Sequence, residues 1–557
     1  MSIKDGASAT GSKLLKGATI LGIAAVVSKL MGTLQKIPLQ NIGGDQTFGV
    51  YSAVYPFYIL IMFLATAGFP VAVSKFVSER TAQGNERGAR RVLYVSSMIL
   101  MLTGLLFFCI LFFGAGLIAG WIHNDQTKPA IQSAAFALLF VPQMASLRGY
   151  FQGRQNMVPT AISQVIEQGV RVAVMLMLLL YLHAAHYPDS WIAAGATFGS
   201  AAGALAGLAY MLYCWFKELK NGSAERLRGQ AEEKDEPLFP LVKQIVYYAL
   251  PICLGSIVVP ILNIVDSFTM PRLLHLHGLS MEAAMVQFGV YNRGLTLVQL
   301  VSMIAGSVAV AIVPSIAEAK AVGSLRSIRI RTELSVRLTW LLGLASSAGL
   351  AMTAYPVNVM LYKNTEGTAA IAILAFTALF STLNITSASI LQGMGSVLIP
   401  AVNMLLSTAL KAVLNVALLP VWGINGTAAA TVLAFAMAAI LNIIALTRRT
   451  GVRFSPAHYL YKPMLAIIGM CVLLFMLIHG SEAALRSIPV SMTFRQAQTI
   501  VSLIAVGGGA LAFFLLIFRV GVIDAKDLES VPNAGRKLLP LLIRFRLLGR
   551  PQAVQKK

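Results

Sequence analysis

Apolar runs of about 20 residues, the length that an α-helix needs to cross the hydrocarbon core of a bilayer, recur along the whole sequence. Membrane-spanning strands are shorter and alternate apolar with polar residues, so this pattern predicts helices and excludes a β-barrel. Segmentation on the apolar runs predicts about fourteen membrane-spanning helices. Their approximate positions are 17–37, 49–74, 92–119, 131–147, 158–182, 191–216, 244–268, 285–313, 338–357, 367–391, 397–419, 424–446, 461–480 and 498–519.

The composition agrees with this pattern, because 57% of the residues are hydrophobic, only 12% are charged, and the mean hydropathy is +0.74. A soluble protein of 557 residues needs far more charge to cover its surface. The sequence therefore predicts an all-α polytopic membrane protein. The four cysteines lie in or beside apolar runs without the spacing of metal ligands, so we expect no disulfide, no bound metal and no other cofactor.

The formal net charge of +22 is distributed unevenly along the predicted topology. Of the 44 lysine and arginine residues, 34 lie on the side that carries both termini, six on the opposite side and four within spans. The positive-inside rule therefore predicts a protein of the cell membrane with both termini on the cytoplasmic side. No nucleic-acid partner is expected. The basic, leucine-rich segment Lys537–Arg550 is predicted to lie on anionic lipids of the inner leaflet.

A repeated pattern relates the two halves of the chain. Gln152-Gly153 reappears as Gln392-Gly393, and at the same displacement Arg171 falls on Lys411. A displacement of six spans keeps the membrane orientation, so we predict two parallel six-helix lobes with a cavity between them. Chance similarity between apolar helices is the alternative. The predicted division is an N-lobe at 1–216, a cytoplasmic linker at 217–243, a C-lobe at 244–446, an added helix pair at 447–520 and a basic amphipathic cytoplasmic tail at 521–557.

Ionisable residues inside the spans are candidates for a functional site, since each costs about 2.5–3.5 kcal/mol at the centre of a membrane helix. In the fifth span, Glu167 and Arg171 lie on one polar face with threonine, serine and glutamine side chains. The equivalent eleventh span carries Lys411 on a polar face of its own. Two such faces predict a shared hydrated cleft. The alternative is a helix–helix interface in which Glu167 and Arg171 neutralise each other across one turn.

Two further cations, Lys29 in the first span and Arg293 in the eighth, lie among apolar residues. Either cation is structural and pairs with Asp266 from the seventh span, or it faces a wet cavity and binds phosphate, which suits guanidinium and ammonium groups. Within the spans, four cations stand against two acids, Glu167 and Asp266. This balance favours an anionic substrate over a cationic drug.

The sequence contains no recognisable motif for catalysis or for ATP hydrolysis. No P-loop of the form G-x-x-x-x-G-K-[ST] occurs, so the chain does not itself hydrolyse ATP. His275 and His277 form an isolated pair in a predicted external loop, and such a pair is more often incidental than metal-binding. No nucleophile lies in a pattern with a base. The sequence therefore predicts a transporter and not an enzyme.

The segment 147–171 (LRGYFQGRQNMVPTAISQVIEQGVR) resembles the connection between the fourth and fifth helices in the polysaccharide-exporter branch of the MOP superfamily. That branch includes the MurJ-type lipid II flippases and stage V sporulation protein B. The segment 67–79 (AGFPVAVSKFVSE) resembles the end of the second helix in the same group. The resemblance extends over about residues 1–520.

The resemblance implies a fourteen-helix transporter with two lobes and an extra C-terminal helix pair. Such a protein moves undecaprenyl-pyrophosphate-linked muropeptide from the inner to the outer leaflet by alternating access. It also implies contacts to the pyrophosphate. Lys29 and Arg293 resemble cavity arginines of the first and eighth helices, and Lys36 lies near a second basic site late in the first helix.

The family pattern is incomplete at one position, because a second-helix arginine of Gram-negative members is replaced here by apolar residues around Leu60-Ile61. Arg171 and Lys411 are the candidates to substitute for it. A counter-ion, if one is used, is assigned to Asp266 or Glu167. We expect the added helix pair to hold the lipid tail in an apolar groove. The expected hinges are the helix breakers Pro56, Gly68, Pro70, Pro251 and Pro260.

Two other functions remain open from the sequence. The first is export of another lipid-linked glycan, such as a teichoic, capsular or spore cortex precursor, because these substrates share the pyrophosphate. The second is a multidrug or cation antiporter of the same superfamily, for which a cavity rich in carboxylates is expected. The expected partners are the lipid-linked glycan, anionic membrane lipids and the cell-wall synthesis machinery.

Overall fold

The computed structural model describes residues 3–222, 237–452, 454–455, 457–487 and 492–522. The segment Lys537–Arg550 and most of the predicted linker lie outside the described residues. The described part of the chain is helical and contains no strand, which confirms the all-α prediction. The helices are α1 (Ile3–Leu34), α2 (Lys36–Thr66), α3 (Phe69–Ala82), α4 (Glu86–Phe113), α5 (Ala115–Ile122), α6 (Lys128–Ala135), α7 (Val141–Gly153), α8 (Val158–Ala184), α9 (Asp189–Gly222), α10 (Leu238–Ser256), α11 (Val258–Leu276), α12 (Met281–Ala321), α13 (Leu325–Met352), α14 (Ala354–Tyr362), α15 (Thr368–Gly393), α16 (Leu398–Trp422), α17 (Ile424–Thr450), α18 (Lys462–Ser487) and α19 (Phe494–Arg519).

Twelve helical stretches among the described residues are long and apolar enough to cross a membrane. One of them, Thr19–Ala82, covers the first two predicted spans. The predicted eighth span, 285–313, lies within α12, which is not among the twelve. The polytopic architecture is therefore confirmed, while the count of fourteen stays a prediction.

Local sequence signals explain where several predicted spans break into two helices. The span at 92–119 divides at Gly114, between α4 and α5. Near the start of α2, Gly44 has φ +76°, a left-handed conformation that glycine adopts without a steric penalty, and the helix kinks there. The predicted breakers Gly68 and Pro70 lie where α2 ends and α3 begins, and Pro260 lies in the first turn of α11.

The chain divides into two compact units. Unit 1 comprises Met1–Asn292 and Thr408–Thr427, and unit 2 comprises Arg293–Ser407 and Ala428–Lys557. In unit 1, α8 packs against α1 and α9, and α3 packs against α7. In unit 2, α13 packs against α15, and α18 packs against α19. The lobe boundaries drawn from the sequence repeat stay a prediction.

Within unit 1, α2 and the start of α12 cross at two glycines. A Cβ added to Gly49 would lie 2.1 Å from the carbonyl oxygen of Met285, and a Cβ added to Gly289 would lie 2.1 Å from the carbonyl oxygen of Asp45. Real Cβ atoms do not come this close to backbone oxygen. Glycine is therefore required at both positions so that the two helix backbones can touch.

Adding a methyl group at Gly49 is expected to destabilise the protein, because the backbone at this crossing cannot move without disturbing its packing. We expect Gly49→Ala to lower the free energy of unfolding by about 1–3 kcal/mol, measured by thermal unfolding of the purified protein in detergent. Gly169→Ala in α8 is the control, since nothing lies within 4 Å of the added Cβ. Equal stability of the two variants would contradict the close crossing.

Candidate functional site

The ionisable residues predicted inside the spans are placed in different surroundings. In unit 1, Arg171, Lys411 and Asp266 are buried, whereas Lys29 on α1 is exposed. In unit 2, Arg293 is fully buried. Burial removes a charge from water, so the groups around each buried charge decide what it can do.

A cation cluster in unit 1 is formed by Lys36, Arg171, Tyr51 and Tyr55. The Lys36 Nζ atom lies 6.0 Å from the centre of the Tyr55 ring, and the Arg171 Cζ atom lies 5.4 Å from the same centre. Tyr51 stacks on Tyr55 with 5.6 Å between ring centres. Both phenol groups interact electrostatically with the guanidinium of Arg171. Cations are attracted to the negative face of an aromatic ring, so this ring helps to hold two positive charges in one place.

The cation cluster retains unused hydrogen-bonding capacity. Arg171 is 7% exposed, yet its Nη2 atom has no hydrogen-bond partner among the described residues. The amide oxygens of Gln35, Gln164 and Gln168 are likewise buried and without a partner in the part of the chain that the structure describes. Gln164, Gln168 and Arg171 share one face of α8, and Gln168 lies against Gly32 of α1. Buried polar atoms are normally satisfied, so these orphaned atoms mark a place for a polar ligand or water.

The acid of the polar face on α8 has a different partner from the one that the sequence suggested. Glu167 accepts a hydrogen bond of 2.9 Å from Arg148 Nη2, and the Nε atom of Arg148 donates to Ser163. The pairing of Glu167 with Arg171 is therefore wrong. Arg148 belongs to α7, and the topology predicted from the sequence places it among the 34 basic residues on the cytoplasmic side. Because Arg148 neutralises Glu167, Arg171 keeps its charge available.

A second charged network in unit 1 joins α11 to α16. Lys411 Nζ lies 2.6 Å from Asp266 Oδ2 and 3.5 Å from the carbonyl oxygen of Leu262. Asn415 donates to Asp266 Oδ1 at 3.0 Å, and Tyr291 donates to Asp266 Oδ2 at 3.0 Å. Asp266 thus pairs with Lys411, and not with Lys29 or Arg293 as the sequence analysis considered. The lysine is fully buried and committed to this carboxylate.

Arg293 lies in unit 2 among amide and carbonyl oxygens. Its Nη1 atom donates to Asn364 Oδ1 at 2.6 Å, to the Glu366 carbonyl at 3.4 Å and to Asn358 Oδ1 at 3.5 Å. Its guanidinium lies 5.3 Å from the centre of the Tyr362 ring. The loop between α14 and α15 therefore encloses this arginine.

The aromatic members of the cation cluster were not among the site residues predicted from the sequence. Tyr51, Tyr55 and Tyr58 are spaced by four and three residues in the second predicted span, so they share one helical face. Burial of both Tyr51 and Tyr58 agrees with that shared face. This row of tyrosines on one helical face was the sequence signal that could have identified them.

An apolar groove lies in unit 2 beside the added helix pair. It has a volume of about 610 Å³ and is bounded by α12, α13, α14, α18 and α19. Leucine, valine, alanine and phenylalanine side chains dominate its walls, including Leu474, Phe513 and Phe514. Such a surface is suited to a hydrocarbon chain.

Removing one member of the Lys411–Asp266 pair is expected to destabilise the protein by about 3–5 kcal/mol, because the other charge stays buried without its counter-charge. We expect Lys411→Met to show this loss in thermal unfolding, and the double variant Asp266→Asn/Lys411→Met to recover part of it. The control is Lys75→Met, which breaks an exposed pair with Glu79 and should cost less than about 1 kcal/mol. Additive losses in the double variant would contradict the pairing.

Comparisons with known proteins agree with this architecture. The family described as "Polysaccharide biosynthesis protein" matches residues 14–320. The chain is 35% identical over 529 residues to the membrane protein YabM of Bacillus subtilis, covering 95% of this chain and 96% of that protein. It is 26% identical to the lipid II flippase MurJ of the same organism, covering 94% of this chain and 99% of that protein. It is also 26% identical to that organism's stage V sporulation protein B, with coverage of 94% and 99%.

Two solved structures have the same fold. A lipid II flippase MurJ in an inward closed conformation has a TM-score of 0.61 at 12% identity, covering 89% of this chain and 99% of that one. An inward-facing multidrug resistance MATE transporter of the MOP superfamily has a TM-score of 0.60 at 14% identity, covering 76% and 94%. The chain is thus a multi-pass membrane protein that belongs to the polysaccharide biosynthesis protein family.

Proposed function

We propose that this protein flips a lipid-linked glycan precursor, of the lipid II type, from the inner to the outer leaflet by alternating access. The observation that carries the proposal is the cation cluster, in which Arg171 and Lys36 share the Tyr55 ring beside orphaned polar atoms. The chain is also similar over nearly its whole length to a lipid II flippase of Bacillus subtilis. The proposed site therefore combines positive charge with unused hydrogen-bonding capacity, in a chain that is similar to a lipid II flippase.

A pyrophosphate matches the chemistry of the cation cluster. Two positive charges held on one ring repel each other, and a dianionic ligand relieves this repulsion. The Nη2 atom of Arg171, which has no partner among the described residues, can donate to a phosphate oxygen, while Lys36 acts as a point charge. The amides of Gln35 and Gln168 can bind the hydroxyl or amide groups of an attached sugar. This arrangement favours an anionic substrate, as the excess of cations in the spans predicted.

The other predicted phosphate contacts differ in how they are held. Lys411 is committed to Asp266, so we assign it a structural role in the described conformation. Arg293 is enclosed by oxygen atoms of unit 2 and stays a proposed contact that needs a rearrangement of its loop. Lys29 is exposed on α1 and stays a proposed contact for substrate that approaches from the lipid side.

The apolar groove beside α18 and α19 is the proposed seat of the lipid tail. A polyprenyl chain is hydrocarbon throughout, and a groove of about 610 Å³ with few polar atoms can shield part of it. The positive-inside asymmetry supports cytoplasmic termini, and the basic tail is proposed to rest on anionic lipids. The proposed partners in the cell wall are the enzymes that make and consume the lipid-linked glycan.

A second candidate substrate has specific support, because similarity to stage V sporulation protein B equals the similarity to MurJ at 26% identity. A spore cortex precursor, or another glycan on the same lipid pyrophosphate, would use the same cations. The cation cluster does not distinguish these substrates, since the feature that they share is the pyrophosphate.

Loss of the guanidinium at position 171 is expected to abolish flipping. We expect the wild-type chain to rescue growth and outer-leaflet lipid II in a bacterium whose own lipid II flippase is switched off, and Arg171→Gln to fail at normal expression. Arg171→Lys keeps the charge without the bidentate donors and should rescue only partly. Arg272→Gln, which removes an exposed arginine at the end of α11, is the matched control and should rescue fully.

The rescue experiment tests both the proposed site and the proposed substrate. Full rescue by Arg171→Gln would contradict the cation cluster as the pyrophosphate site. If the wild type inserts well into the membrane but does not rescue growth, lipid II is not the substrate. The other lipid-linked glycans are then favoured and are tested as substrates in the same assay.

Filling the apolar groove is expected to slow flipping without unfolding the protein. Ala510 lines the groove and Leu503 faces away from it on the same helix. We expect Ala510→Trp to reduce the rate of lipid II flipping in proteoliposomes severalfold, because the indole occupies the space proposed for the tail. Leu503→Trp should leave the rate unchanged. Equal rates for both variants would argue against the groove as the seat of the tail.

A further inference from the structure

A polar pocket, separate from the cation cluster and from the apolar groove, lies in unit 2 where α18 ends and α19 begins. Its volume is about 430 Å³, and the junction of α13 and α14 closes one side. Aromatic and charged side chains both line it. The lining side chains that matter are Tyr355, His479, Glu482, Arg486, Phe494 and Gln498.

Gln498 is the buried polar group of this pocket. Its side chain is 7% exposed, and its Nε2 atom donates to Glu482 Oε1 at 3.1 Å. Its Oε1 atom has no hydrogen-bond partner among the described residues. A buried amide oxygen is normally satisfied, so this atom indicates that a donor beyond the described residues completes the pocket.

Two opposite charges line the pocket without neutralising each other. Glu482 and Arg486 are four residues apart on α18, a spacing at which their Cβ atoms are about 5–6 Å apart. Such neighbours commonly pair, but Glu482 turns to Gln498, and Arg486 makes neither an ion pair nor a hydrogen bond to any part of the chain that the structure describes. The pocket therefore presents an anion and a cation side by side, which matches a ligand that carries both charges.

The position of the pocket narrows the class of ligand. α18 ends at Ser487 and α19 begins at Phe494, and the ends of membrane-spanning helices lie at the level of lipid headgroups. Tyr355 and Phe494 are exposed aromatic residues of the kind that line membrane interfaces and attract ammonium groups. The charge asymmetry of the sequence predicts that this end faces the outer leaflet.

We propose that the polar pocket binds the headgroup of a zwitterionic phospholipid that carries a primary amine. The phosphate lies against Arg486, and the ammonium group lies against Glu482, the orphaned oxygen of Gln498 and the aromatic rings. This proposal does not depend on the substrate that the protein transports. It assigns a bilayer lipid as a resident partner of the added helix pair.

The test is a lipid titration of the full-length protein in detergent, read by native mass spectrometry, with dioleoyl phosphatidylethanolamine as the probe. Dioleoyl phosphatidylglycerol has the same chains and phosphate but no amine. We expect the wild type to bind the ethanolamine lipid about tenfold more tightly. Glu482→Gln should remove this preference, and Arg486→Gln should weaken binding of both lipids. Arg495→Gln is the matched control, since Arg495 donates to the Met360 carbonyl instead of lining the pocket.

Two results would overturn the proposal. One is equal binding of the two lipids by the wild type, and the other is wild-type binding by both Glu482→Gln and Arg486→Gln. If either variant fails to fold, a competition experiment on the wild type replaces the comparison. Soluble O-phosphoethanolamine is expected to displace the bound ethanolamine lipid, and the absence of displacement overturns the proposal.

Discussion

A charge inside a membrane-spanning helix has to be stabilised by neighbouring groups, because neither lipid nor packed side chains replace its water shell. The described residues meet this constraint in three ways. Lys411 has an opposite charge at 2.6 Å. Arg293 has a set of amide and carbonyl oxygens. Arg171 has the faces and hydroxyls of tyrosines.

These three ways of stabilising a buried cation differ in whether the cation can still bind a ligand. An ion pair neutralises the cation, so Lys411 serves to hold α16 against α11. Oxygen atoms surround Arg293 and satisfy its donors. Aromatic rings stabilise Arg171 without cancelling its charge, and one of its nitrogen atoms stays without a partner among the described residues. A transporter has to release its substrate, and a cation held by rings can exchange an anion without leaving a buried charge isolated.

The sequence predicted the fold well and the partners of the charges poorly. Apolar runs identify membrane helices because every backbone polar group in lipid must be satisfied within the helix. The 3.6-residue period placed Glu167 and Arg171 on one face, but it does not reveal which helix lies opposite. Arg148 reaches Glu167 from α7, and Asp266 and Lys411 are 145 residues apart in sequence. Tertiary packing decides such pairs, whereas the family resemblance was readable from two contiguous segments, 147–171 and 67–79.

The most direct measurement is the equilibrium binding of undecaprenyl pyrophosphate, without any glycan, to the purified wild type and to Arg171→Gln. Undecaprenol, which has the same tail and no phosphate, measures what the apolar groove contributes alone. We expect the wild type to bind the pyrophosphate lipid much more tightly than undecaprenol, and Arg171→Gln to lose most of this difference. Equal binding of the pyrophosphate lipid by both proteins would contradict the assignment of the cation cluster as the pyrophosphate site.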